Sequence, residues 1–133
     1  MVPDYYFKAL DGVTYIPETH DLTRTTSIAA AVPGKTYYSI DEEHKKVVAF
    51  DVDPSGRLSN PRFTPIAAEF GLAVDGEGCI YAGMGDIRKY SPDGELLEII
   101  PIPERPTALS FGGADGKTLY VTTRESLFEI REL

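Results

Sequence analysis

Carboxylates and imidazoles are the side chains of this sequence best suited to chemistry. Glu18 and His20 lie close together in the chain, and so do Asp41 and His44. Imidazole nitrogens and carboxylate oxygens bind zinc, and carboxylates also bind calcium. These four residues are therefore a candidate metal set. The simpler alternative is a solvated rim of polar loops, since the formal net charge of the chain is −8.

Other chemistries and partners find less support. No serine, histidine and acid form a recognisable nucleophile pattern, and no glycine-rich phosphate loop leads from a strand into a helix. The acidic balance, without a run of lysine or arginine, argues against nucleic acid as a partner. No apolar run approaches the roughly 20 residues that cross a bilayer, so no membrane partner is expected. The single cysteine, Cys79, and an N-terminus without signal-peptide features predict a cytoplasmic protein.

The elements that position these residues come from a repeat of about 40 residues. Each copy has an apolar run, a glycine-containing turn, a second apolar run, a polar loop and a third apolar run. The Pro-Gly and Asp-Gly turns supply the positive φ that tight antiparallel connections need. No window of a dozen residues shows a helical period. The sequence therefore predicts an all-β fold of four-stranded antiparallel blades, the repeat unit of a β-propeller.

The repeats predict one half-propeller over residues 1–133, with about three blades. Residues 1–24 form the outer strand of a preceding blade and a linker, and the blades span 25–66, 67–104 and 105–133, the last with three strands. The innermost strands are apolar at nearly every position, so both faces of each blade are expected to be covered. An arc of three blades leaves two end faces bare, which favours self-association.

Strand direction predicts which polar residues share a face of the propeller. The loops that enter the innermost strands lie at the same end as the loops between second and third strands. The residues expected there are Glu18, His20, Asp21, Asp41, Glu42, Glu43, His44, Glu69, Arg124 and Glu125.

Three strings carry a resemblance to a known family. Residues 91–107 (SPDGELLEIIPIPERPT) and 111–127 (FGGADGKTLYVTTRESL) resemble the C-terminal blade of the gluconolactonase and regucalcin (senescence marker protein) family of six-bladed propellers. Residues 49–60 (AFDVDPSGRLSN) resemble its middle-blade signature. The similarity extends over residues 25–133, about four-fifths of the chain. It implies the C-terminal half of such a propeller.

The resemblance also implies a divalent cation in the central channel and hydrolysis of sugar lactones or related esters. Its implied ligands are a Glu from an early blade, an Asn from a Pro-Asn-Gly turn and an Asp from a Pro-Asp-Gly turn, the Asp being also the candidate general base. Here the Asn and Asp positions hold Thr26 and Phe70, and the early blade lies outside this sequence. A hydroxyl and a phenyl do not replace charged oxygen ligands. No metal or other cofactor is therefore expected at these positions.

Two more residues belong to the predicted site. Glu69 precedes Phe70 and is the best replacement carboxylate and catalytic candidate, although adjacent side chains in extended chain point to opposite sides. Thr107 occupies the corresponding turn of the last blade, so Thr26, Phe70 and Thr107 are expected to line the channel. Such a lining favours holding a small neutral molecule over hydrolysing one.

Three functions stay open. The first is a gluconolactonase-like half-propeller that binds a small molecule or a protein, with its metal and catalytic site degraded. The second is a lactone or ester hydrolase whose calcium or zinc site is rebuilt, for instance from Glu18, His20, Asp41 and His44. The third is a gene fragment without a role of its own.

The expected partner is a second copy of the chain. Two arcs of three blades would close one six-bladed ring as a homodimer. Residues 13–16 would then supply the outer strand that the last blade lacks, from the same chain or from the second one.

Overall fold

The computed structural model describes residues 7–8, 14–15, 18, 20, 22, 24–32 and 35–131. This part of the chain consists of strands, turns and loops without a helix, which confirms the all-β prediction. No helix that could span a membrane occurs among these residues.

The described strands form four antiparallel sheets. A short sheet pairs β1 (Phe7–Lys8) with β2 (Thr14–Tyr15). The first blade comprises β3 (Thr25–Val32), β4 (Thr36–Asp41), β5 (Lys46–Val52) and β6 (Leu58–Ala67). The middle blade comprises β7 (Leu72–Val74), β8 (Ile80–Gly83), β9 (Ile87–Tyr90) and β10 (Leu96–Ile100). The last blade comprises β11 (Ala108–Gly112), β12 (Thr118–Thr122) and β13 (Leu127–Ile130).

Each blade is a meander in which consecutive strands pair in chain order. The innermost strands β3 and β11 both contact β7, so the blades follow one another in an arc. The half-propeller prediction is therefore confirmed. The outer strand β6 passes through Pro61 and Pro65, which an edge strand tolerates because its outer backbone groups need no partner.

Two apolar clusters hold neighbouring blades together. One lies between the first and middle blades and contains Ile40, Val47, Ile66, Ala68, Leu72, Ile80, Ala82 and Tyr90. The other lies between the middle and last blades and contains Ala73, Tyr81, Ile87, Leu109, Leu119 and Val121. The middle blade is thus covered on both faces, as its apolar strands predict.

The last blade differs from the expectation of uniformly apolar strands. Leu109 and Val121 face the middle blade and are buried, whereas their neighbours Ser110 and Thr122 face away and are exposed. This alternation is the pattern of a sheet with one wet face. The face of the last blade that points away from the middle blade is therefore more polar than predicted.

The N-terminal strand pairs locally within the single chain, and its pairing with the last blade of a second copy stays a prediction. In this chain β2 pairs with β1, with Tyr15 opposite Phe7, and it does not pair with β13. A hairpin is favoured here because closing a short loop costs less conformational entropy than joining the two ends of the chain. Val13 and Ile16, the other residues of the predicted strand, lie outside the described residues, as does Asp21.

Candidate functional site

The innermost strands β3, β7 and β11 all begin at one end of the blades, which we call the mouth end. The turns between the second and third strands of each blade lie at this end too, because consecutive strands are antiparallel. The mouth end comprises residues 24–26, 42–45, 68–71, 84–86, 104–107 and 123–126.

Thr26 stands at the mouth end of β3 and joins two blades. Its hydroxyl donates a hydrogen bond to the backbone carbonyl of Glu69 at 2.7 Å. The next residue, Ser27, accepts a hydrogen bond at its hydroxyl from the backbone N–H of Gly71 at 3.0 Å. These bonds align the start of β3 with the start of β7. The Thr26 hydroxyl is therefore already engaged by the protein.

Thr107 and Phe70 occupy the corresponding turns of the other two blades. The Thr107 hydroxyl donates to the carbonyl of Thr122 at 3.0 Å and lies 2.9 Å from the Thr122 hydroxyl. The Phe70 side chain offers no polar atom, and the residue is 37% exposed. The structure thus places Thr26, Phe70 and Thr107 at one end of the blades.

The loop that carries Phe70 is held in place by a close approach between its backbone and that of Gly83. The backbone N–H groups of Glu69 and Phe70 both donate to the carbonyl of Gly83, at 2.8 and 3.3 Å. A Cβ atom on Gly83 would overlap the Phe70 carbonyl oxygen. Only glycine allows this contact, so the sequence of β8 fixes the position of the Phe70 turn.

Glu69 bridges all three blades through its carboxylate. Its Oε1 atom lies 2.6 Å from Nη1 of Arg105, and its Oε2 atom lies 3.2 Å from Nζ of Lys45. Burial raises the pKa of Glu69, but the hydrogen bonds and charges of Arg105 and Lys45 outweigh it and hold the pKa below its usual value. A carboxylate with a lowered pKa and two cationic partners is a poor general base.

The four residues of the candidate metal set fall into two pairs. Asp41 is fully buried at the mouth end, where its Oδ2 lies 3.2 Å from Nδ1 of His44. Its Oδ1 atom also accepts the His44 backbone N–H at 3.3 Å, which caps the turn. Glu18 contacts His20 and Arg57, both at 2.9 Å, and Arg57 lies in the turn between β5 and β6 at the opposite end.

Strand direction predicts all four residues at the mouth end, with a metal site there as the alternative to a solvated rim. In the structure β5 runs between the two pairs, so they do not form one metal site. No group of three His, Cys, Asp or Glu side chains that could hold a metal occurs in the described part of the chain.

The channel positions that the resemblance assigns to metal ligands also do not fit a calcium ion. Calcium takes six to eight oxygen ligands, with carboxylates prominent among them. Thr26 has a hydroxyl that donates to the Glu69 carbonyl, and Phe70 has no side-chain oxygen. Glu69, the carboxylate next to Phe70 in the chain, is already paired with the cationic side chains of Lys45 and Arg105.

Nothing in the sequence singles out Lys45 and Arg105, the partners of Glu69. Strand direction places both at the mouth end, because Lys45 lies in a turn between second and third strands and Arg105 precedes an innermost strand. Strand direction thus predicts that both residues lie at the same end of the blades as Glu69. It does not predict that they pair with Glu69, since several other charged residues lie at this end too.

Comparison with known proteins bears on what this arrangement does. A family model described as the SMP-30/gluconolactonase/LRE-like region matches residues 10–125. A 6-deoxy-6-sulfogluconolactonase from Pseudomonas putida is 39% identical over 67 residues, which make up 47% of this chain and 23% of that protein.

Solved structures share the fold. A gluconolactonase from Xanthomonas campestris superposes with a TM-score of 0.74 at 23% identity, over 93% of this chain and 42% of the other. A calcium-binding regucalcin from Agrobacterium tumefaciens superposes with a TM-score of 0.71 at 26% identity, over 90% of this chain and 44% of the other. The chain spans less than half the length of each of these relatives.

Proposed function

Since this chain belongs to the SMP-30/gluconolactonase/LRE-like family, we propose that it binds a small neutral molecule of the sugar-lactone class without strong lactonase activity. The binding site is the mouth end of the innermost strands, where Thr26, Phe70 and Thr107 stand at equivalent positions. The location is cytoplasmic, in keeping with a single cysteine in the chain.

The state of Glu69 is the observation that carries the proposal. Hydrolysis of a lactone needs a group that activates water, and such a base works best with a pKa near the working pH. Glu69 is the carboxylate beside the Phe70 turn, and Lys45 and Arg105 hold its pKa below the usual value. Its charge is used to join blades, which leaves binding as the function that the geometry supports best.

The chemistry of the mouth end supports a neutral ligand. An exposed phenyl ring packs against the C–H face of a sugar ring, and hydroxyls serve as hydrogen-bond partners for its oxygens. Phe70 supplies the ring. The Thr26 and Thr107 hydroxyls donate their protons to backbone carbonyls, so they supply oxygen lone pairs that accept hydrogen bonds from the hydroxyls of a sugar. The name of the Pseudomonas putida relative supports sugar lactones as the class.

Binding is tested with 1,5-anhydroglucitol, a neutral cyclic polyol that water does not hydrolyse, by ligand-detected NMR titration. Replacing Phe70 by Ala is expected to weaken binding by about 3- to 10-fold, the range that an aromatic contact contributes. Leu97→Ala is the control, because Leu97 is 51% exposed on the outer strand β10. Absence of binding by the wild-type protein, or an equal loss in both variants, would overturn the proposal.

A metal-dependent lactone or ester hydrolase is the second candidate, favoured by the 39% identity to a lactonase. Hydrolysis of sugar and aryl lactones is measured with added calcium, zinc or manganese. We expect no rate above the spontaneous reaction. Metal-stimulated turnover that disappears in Glu69→Gln but persists in Glu98→Gln would establish the second candidate in place of the first. Glu98 is exposed on β10 and serves as the matched carboxylate.

A further inference from the structure

Some apolar positions recur in all three blades. They are buried where two blades meet and exposed at the two ends of the arc. Val47 in β5 and Ile87 in β9 face the following blade, and both are 0% exposed. Leu127 in β13 holds the same position, since Ile87 pairs with the last residue of β8 and Leu127 pairs with the last residue of β12. Leu127 is 69% exposed.

The opposite end of the arc shows the complementary exposure. Leu72 and Leu109, in the innermost strands of the middle and last blades, face the preceding blade and are 4% and 8% exposed. Ile28 holds this position in β3, because it follows Ser27 as Leu72 follows Gly71. Ile28 is 60% exposed.

Both junctions inside the chain bring these two positions together. Val47 and Leu72 belong to the cluster between the first and middle blades. Ile87 and Leu109 belong to the cluster between the middle and last blades. Leu127 and Ile28 are therefore the two halves of a third junction of the same kind.

We propose that the last blade of one chain docks on the first blade of a second copy, with Leu127 of one copy against Ile28 of the other. The occupant is a second copy because one chain carries both halves of the junction. Two such contacts related by a two-fold axis close an arc of three blades into a ring. The proposal concerns assembly and does not depend on ligand binding.

The first blade has room for this partner. A cavity of about 410 Å³ lies on its free face, bordered on the inner strands by Thr26, Ile28 and Ser39. His20 covers the outer part of the face, where its ring lies 5.0 Å from the ring of Phe50. The inner strands of the first blade, with Ile28, are therefore the part of this face that the inner strands of another blade can contact.

The partner face of the last blade repeats a feature of the other two. Tyr38 and Tyr81 lie in the second strands and pack into the junctions that follow their blades. Tyr120 holds the same position in β12, and it is half-buried in the single chain. The polar neighbours Ser110 and Thr122 make this junction more polar than the two inside the chain. A polar rim of this kind is common at interfaces between separate subunits.

A charge-exchange experiment tests the docking. Leu127→Glu and Ile28→Lys are made separately and studied by sedimentation equilibrium at low micromolar concentration. The wild-type protein should have twice the chain mass of 14.6 kDa. Each variant alone should dimerise at least about 100-fold more weakly, because both junctions then hold an unpaired charge.

Mixing the two variants should restore a dimer. One junction of the mixed dimer keeps both wild-type side chains, and the other brings the introduced carboxylate against the introduced ammonium. Leu97→Glu is the control, since Leu97 is 51% exposed but lies on an outer strand away from the junction, and it should dimerise like wild type. A monomeric wild-type protein, or a mixture that stays monomeric, would overturn the proposal.

A covalent test covers the case in which a charged variant fails to fold. Ile28→Cys and Leu127→Cys are made separately on a Cys79→Ser background and mixed under mild oxidation. We expect a disulfide-linked dimer in the mixture of Ile28→Cys and Leu127→Cys. We expect none when Leu97→Cys replaces either of the two variants. Equal cross-linking in both mixtures would contradict the docking.

Discussion

At the scale of single residues, Glu69 shows how a carboxylate beside a candidate site can serve structure. It lies 14% exposed between Lys45 of the first blade and Arg105 before the last blade, and its own backbone begins the middle blade. An ion pair between exposed groups contributes little, but a mostly buried acceptor with two cationic donors contributes more. We therefore assign Glu69 to holding the blades in register.

Glu69→Gln is expected to lower the free energy of unfolding by about 1 to 2 kcal/mol at pH 7, because a neutral amide keeps the shape but loses both ion pairs. Urea denaturation followed by circular dichroism measures the change. Glu98→Gln, on the exposed face of β10, should change stability by less than about 0.5 kcal/mol. Equal effects of the two substitutions would remove the structural role.

The same contact gives a pH dependence of known sign. The pKa of Glu69 is lower in the folded protein than its ordinary value of 4.5. Its contribution is therefore complete above about pH 4.5 and is lost as the pH falls through the folded pKa. The stability difference between wild type and Glu69→Gln should shrink over that acidic range. A difference that stays constant from pH 7 to pH 3 would contradict this account.

The residues of the site could be predicted only in part. Sequence position places Thr26, Phe70 and Thr107 in equivalent turns, because turn and strand patterns are local. The pairing of Glu69 with Arg105 joins residues 36 positions apart, and no local pattern specifies it. The separation of Glu18 and His20 from Asp41 and His44 also depends on how the chain folds in three dimensions. The structure shows this separation, and the sequence does not.

At the scale of elements, the turns of the blades depend on more than glycine. Asp53, Asp75 and Asp115 each accept the backbone N–H two residues further on, at 2.9 Å. Side chains of this type form turns by hydrogen-bonding their own backbone. The strands and turns were predictable because both signals are local. The register shifts between β5 and β6 were not, since they arise from pairing across strands.

Gly83 makes a sharper prediction at this scale. Gly83→Ala is expected to lower the free energy of unfolding by about 1 to 3 kcal/mol, because the added Cβ meets backbone atoms of Phe70 that cannot rotate away. Thermal and urea unfolding measure the loss. Gly76→Ala is the matched control, since nothing lies within 4 Å of a Cβ there, and it should be close to neutral. A neutral Gly83→Ala would show that the Phe70 turn moves freely.

At the scale of the whole molecule, the repeat determines what can be inferred. A period of about 40 residues predicts blades, and their number follows from the number of copies. The polar free face of the last blade was not predicted. The prediction followed the apolar residues of its strands, such as Leu109 and Val121, and gave too little weight to the polar residues Ser110 and Thr122 that alternate with them. Composition also does not determine the partner of β2, since a strand of this kind has several possible partners; within the single chain its partner is β1.

We propose that the channel positions of this chain hold no divalent cation and serve binding in place of hydrolysis. Calorimetric titration of the protein with calcium and with zinc tests it most directly. With Thr26 and Phe70 at the ligand positions and Glu69 engaged by two cations, we predict no binding tighter than roughly millimolar, the weak end for calcium sites. A one-to-one site of micromolar affinity that changes with substitution of Thr26, Glu69 or Phe70 would contradict the account.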